Sequence, residues 1–125
     1  MHGLRTIFLA LTATLTADVV TAERDVVWTF ASCTGRLSAQ MEHQWLLQDP
    51  ASTQTERRRS AMINLLEATM NPDNGSTVLS WRIDAKLAQS QLLTRATFNA
   101  DPEDALWARS RAEAEIAACN GLLLS

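Results

Sequence analysis

The sequence predicts an all-α fold: an antiparallel up-down-up-down four-helix bundle that follows a cleaved signal peptide and carries one disulfide, Cys33–Cys119. Three observations lead there. Clusters of helix-breaking residues cut the chain into four segments, at Asp49-Pro50, at Asn71-Pro72-Asp73-Asn74-Gly75 and at Asn99-Ala100-Asp101-Pro102. Within each segment the apolar residues recur at a helical step of about 100°, and none alternates apolar and polar as a half-buried strand does. The two cysteines fall near the start of the first segment and the end of the last, points that short antiparallel connections bring to the same end of a bundle.

The chain opens with Arg5 in a short leading region, an apolar stretch from Ile7 to Leu15, and small residues at Val20 and Ala22, the layout of an export signal. Cleavage after Ala22 divides the sequence into a signal peptide, 1–22, and a helical domain, 23–125. The apolar stretch is too short to span a bilayer, which takes about 20 apolar residues, and it is interrupted by Thr12, Thr14, Thr16 and Asp18. No membrane span is expected in the mature chain, and the protein is placed in the periplasm or outside the cell. Thiols in such a compartment are usually oxidised, so an even pair without a CxxC motif reads as a disulfide rather than a redox or metal site.

The first helix is expected over about Thr29–Gln48, with Phe30, Cys33, Leu37, Met41 and Trp45 on one arc. The second, about Thr53–Met70, has Thr53 and Glu56 at capping-box spacing and Ala61, Met62, Leu65, Leu66 and Ala68 as its apolar side. The third, about Ser76–Phe98, gathers Val78, Trp81, Ala85, Ala88, Leu92 and Ala96. The fourth begins with Asp101 as N-cap, Pro102 at the first helical position, and Glu103 and Asp104 where negative charge suits the helix dipole. Its stripe is Ala105, Ala108, Ala112, Ile116 and Cys119, and it is expected to close at Gly121.

Function is constrained mainly by exclusion. A net charge of −3, from 11 basic and 14 acidic residues, without any basic cluster on the scale of a nucleic-acid footprint, disfavours DNA or RNA as a partner. No HExxH, CxxCH or nucleophile–base pair is present, so neither catalysis, nor a metal, nor a cofactor is expected. His43, in Met41-Glu42-His43-Gln44-Trp45, lies about 140° from the Phe30 side and is expected to face solvent, which keeps it from pairing with Met62 or Met70 around a haem. Gln40 and Gln44 fall on or beside the apolar arc of the first helix, where each reads as a satisfied core amide or as the floor of a groove. Arg57, Arg58 and Arg59 oppose the dipole at the start of the second helix. They are expected to form salt bridges with Asp101, Glu103 and Asp104, or else to receive an anion or acidic partner.

The third helix is apolar on two sides. Leu79, Ile83 and Leu87 form an i, i+4, i+8 row nearly opposite its main stripe. Either this row is covered within the monomer, by Val26, Val27 and Trp28 or by Leu122 to Leu124, or it is a contact surface for a homodimer or an envelope or secreted partner. A signal peptide followed by a short helical domain with one long-range disulfide resembles the plan of periplasmic acid-stress chaperones and small exported inhibitors, a likeness of architecture with no residue-by-residue counterpart. The expected role is non-catalytic protein–protein interaction, as a chaperone, inhibitor or accessory subunit. The alternative is a small-ligand binder using the bundle interior.

Overall fold

A computed structural model describes Gly3 and residues 16–124, with side chains from Asp25 onward. The predicted signal peptide lies outside the described residues except for Gly3 and for its backbone from Thr16, which is already helical. The helices are α1 (Thr16–Leu46), α2 (Ser52–Thr69), α3 (Gly75–Phe98) and α4 (Pro102–Leu123), with a single 3-10 turn at Pro72–Asn74. α1 therefore begins well before the predicted Thr29 and continues unbroken across the Ala22–Glu23 bond. α2 and α3 match their predicted bounds to within a residue, and α4 runs through Gly121 to Leu123.

The breaks work through short polar side chains that accept backbone N–H groups two residues on. Asp49 accepts from Ala51 at 2.9 Å, Asn71 from Asp73, Asn99 from Asp101 and Asp101 from Glu103, each of these three at 3.0 Å. Asp101 and Pro102 thus begin α4 as predicted. The Thr53–Glu56 capping box does not form, because the turn is already closed upstream: Ala51 is the N-cap of α2 and makes no side-chain cap bond. α1 ends in a Schellman motif, with Asp49 N–H on Gln44 O at 2.8 Å and Gln48 N–H on Trp45 O at 3.1 Å. Gln48 takes the left-handed position at φ 56°, where glycine is the usual occupant.

Side-chain pairings give the directions. Ser38 of α1 meets Arg59 of α2, and Ala31 meets Leu66, so α1 and α2 are antiparallel. Val27 sits with Val78, Ala39 with Leu93 and His43 with Thr97, so α1 and α3 run parallel. Arg95 with Asp104 and, further from the turn, Gln89 with Ala112 set α4 antiparallel to α3. This is the up-down-up-down bundle. Within it α1 is central, packing along α2 on one side and most closely along α3 on the other, while α4 lies on α3 and reaches α1 and α2 near the disulfide.

The intimacy of α1 with α3 comes from small residues. Ala31, Ser32, Thr34, Gly35, Ser38 and Ala39 are all buried. At Gly35 the helices approach so closely that a Cβ would stand 2.2 Å from Arg82 O and 2.9 Å from Lys86 N. Two of the buried hydroxyls find a local acceptor: Thr34 donates to Phe30 O and Ser38 to Thr34 O, both at 2.8 Å. Larger side chains fill the remaining interior. Leu37 and Met62 surround the Cys33–Cys119 disulfide, whose Cα atoms are 5.4 Å apart.

Most of the predicted stripes are buried or half-buried, but Trp45, Ala61, Ala68 and Ala88 are exposed. Trp45 is the penultimate residue of α1 and is exposed there with Leu46 and Leu47. Ala61, Ala68 and Ala88 lie at the edges of their stripes, where short side chains do not reach the interior.

Candidate interaction surface

The row on α3 is uncovered. Leu79, Ile83 and Leu87 are 52%, 55% and 58% exposed. Neither group of residues that would shield them does so: Val27 turns inward to join Ala31, Leu66 and Val78, Val26 and Trp28 face solvent, and Leu122 and Leu123 pack around the disulfide. The cause is the position of α3 in the fold. Its inner side carries Val78, Gln89, Leu93 and Ala96 against α1 and α4, so among the described residues the opposite side meets no helix. Ser80, Ser90 and Thr94 are interleaved with the row, leaving a strip of one helix face that is apolar or small and uncharged.

A second apolar area was not singled out from the sequence. Trp45, Leu46 and Leu47, at the end of α1, and Phe98, at the end of α3, are exposed at the same end of the bundle. The unbroken apolar run Trp45-Leu46-Leu47 just before Asp49-Pro50 was the available signal.

The other candidate residues do not assemble into one site. His43 does not simply face solvent: it is half-buried against α3, its Nε2 3.0 Å from Thr97 Oγ1 and its ring edge-on to Phe98 at 6.4 Å. The reason is that α1 is packed on two sides, so a position opposite the Phe30 arc still meets a helix. Arg57, Arg58 and Arg59 form none of the expected salt bridges among the described residues. Arg59 instead donates its Nε–H to Ser38 Oγ at 2.7 Å, and Asp104 is taken by Arg95. The Arg95 guanidinium, hydrogen-bonded to Asp104 and assisted by Asn99, holds that carboxyl below its usual range against a smaller opposing effect of desolvation.

Gln44 keeps a buried Oε1 without a hydrogen-bond partner. Gln40 lines a cleft of about 310 Å³ between α3 and α4, together with Leu93, Thr97, Arg109 and Asn120. Among the described residues no group of three or more His, Cys, Asp or Glu side chains is placed to hold a metal, and no helix is long and apolar enough to cross a membrane. Compared with known proteins, the chain matches no family model, no curated protein and no solved structure.

Proposed function

We propose that this is an exported, non-catalytic protein that acts by binding another polypeptide through the outer face of α3. The observation that carries the reading is the exposed row Leu79, Ile83 and Leu87. Apolar side chains held half out of water on a rigid helix gain free energy when a partner covers them, by about 25 cal/mol for each Å² of apolar surface buried. The row lies on a helix anchored along its other side, so its three side chains are presented at fixed spacing and little conformational freedom remains to be lost on association. Two further features support the reading over a ligand held in the bundle interior. The axis is filled by Leu37, Met62, Leu66 and the disulfide, and the apolar surface lies outside it.

Export rests on the sequence of residues 1–22. The disulfide and the lack of a membrane-crossing helix among the described residues are compatible with it. The test is Ile83→Asp. At an exposed helical position this change alters stability by no more than about 0.5 kcal/mol, so helicity and melting temperature should be kept. Association should be lost, in light scattering for a second copy or in pull-down from the cell envelope for a different partner. Unfolding of the variant, or association at the level of the unaltered protein, would refute the assignment.

A further inference from the structure

A cleft of about 390 Å³ runs between α3 and α4 on the side reached by Arg36 of α1. It is independent of the α3 outer row, none of whose residues lines it. Gln89, Leu92 and Arg95 enter it from α3, and Trp107, Arg111 and Glu115 from α4. Gln89 is its most informative member. The residue is 1% exposed, and its Nε2 donates to Ala112 O at 3.2 Å. That bond settles which way the amide points, since a carbonyl can be met only by the NH₂ group. The Oε1 is thereby left buried with no donor. Buried amide oxygens are nearly always hydrogen-bonded, so this one lacks the donor such a group ordinarily has, in a residue that lines the cleft.

The charges around it have a definite sign. Arg36 and Arg111 both hold Glu115, at 3.2 Å and 2.5 Å, and Arg95 holds Asp104. Three guanidinium groups against two carboxylates leave one positive charge in excess, in a chain whose net charge is −3. A guanidinium has five N–H donors, and these ion pairs leave several free. Arg95 also lies 5.1 Å from the centre of the Trp107 ring, so that indole is held in place on one side.

We propose that this cleft binds a small hydroxylated carboxylic acid built on a ring. Its carboxylate takes the free N–H groups of the arginines, its hydroxyl donates to Gln89 Oε1, and its ring lies against Trp107. Glu115 keeps Arg36 and Arg111 oriented and sets the limit on charge: one carboxylate is accommodated, and a second would meet net repulsion. Aromatic hydroxy acids and sugar acids share this chemistry and differ in whether the ring is flat.

The test uses the oxidised full chain, with nitrogen-15 NMR signals of the Gln89 side-chain amide and the Trp107 indole as readouts. The probes are 4-hydroxybenzoate and D-glucuronate, each with a control lacking one feature: benzoate without the hydroxyl, D-glucose without the charge. At least one acid should shift both signals saturably at millimolar concentration, and the one that does identifies the ring type. Its control should bind about tenfold or more weakly, the effect of leaving one strong polar contact unmade. Arg111→Gln, at an exposed site that does not threaten folding, should weaken binding by a similar factor, and Gln89→Met should remove the advantage of the hydroxyl. The proposal is overturned if neither acid shifts these signals, if the controls match the acids, or if Arg111→Gln binds as the unaltered protein does.

Discussion

Gly35→Ala is the substitution whose outcome depends most directly on how α1 meets α3. In an ordinary helix the change would stabilise, since alanine is favoured over an interior glycine by about 1 kcal/mol. Here the new methyl would stand 2.2 Å from Arg82 O and 2.9 Å from Lys86 N, where ordinary contact begins at 3.4 Å. Both obstacles are backbone atoms of a neighbouring helix and cannot rotate aside. The helices must therefore separate by about 1 Å, which opens the contacts of Val27 with Val78 and of Ala39 with Leu93, in an interior packed without slack. Overpacking of this kind costs about 1 to 3 kcal/mol, and its upper end applies where no side chain can yield. After the propensity gain a net loss of about 2 kcal/mol remains, or roughly 8 to 15 °C in melting temperature for a domain of this size. Thermal unfolding followed by circular dichroism without reductant measures it. Gly121→Ala is the internal control: it is also helical, nothing lies within 4 Å of its added methyl, and it should gain up to about 1 kcal/mol. If Gly35→Ala melts at or above the temperature of the unaltered protein, the close approach of α1 and α3 is wrong.

Two other perturbations test separate parts of the structure. Replacing Cys33 and Cys119 together by alanine releases a bridge with a sequence separation of 86, worth about 4 to 5 kcal/mol in the chain-entropy model; a loss below about 1 kcal/mol in urea unfolding would contradict that contribution. The Arg95–Asp104 pair sets an acid limit. Because the folded carboxyl titrates below its ordinary range, its stabilisation is complete above the unfolded value near 4 and fades as pH falls through the lower folded value. The melting temperature of Asp104→Asn should therefore lie below that of the unaltered protein at neutral pH and converge with it in acid. A gap that does not narrow would remove the pair as its cause.

What could be read in advance depended on whether a feature is announced by large apolar residues or by polar punctuation. The turns at Asp49, Asn71 and Asn99 and the start of α4 at Asp101 were legible because Asx side chains and proline act locally. The disulfide was legible because both cysteines lie on core stripes at one end. The central role of α1 was not. Its contact with α3 runs through Ala31, Gly35 and Ala39, small residues whose hydrophobicity gives little sign of burial, so the sequence marks only the Phe30–Trp45 arc as an inner face. The same feature explains His43: one apolar arc predicts one packed face and so a solvent-facing histidine, whereas α1 is packed on two sides. Of the candidate surface, the row at Leu79, Ile83 and Leu87 was visible as a periodicity, whereas its exposure depended on where Val27 and Leu122 turned out to point. The cleft around Gln89 was out of reach, because it combines Arg36, Arg95 and Arg111 from three helices, and no spacing within one segment signals such a meeting.

The bridge between the first and last helices also decides how the molecule responds to proteolysis. The three interhelical turns, at 47–51, 70–74 and 99–101, all lie between Cys33 and Cys119, and their residues are almost all exposed. A protease acting at any one of them opens a closed loop without severing the molecule. The two halves stay covalently joined through sulfur, with α1 and α4 still tied at the Cys33–Cys119 bridge. A once-nicked chain should thus run as a single species without reductant and as two fragments with it, and release of a piece requires two cuts.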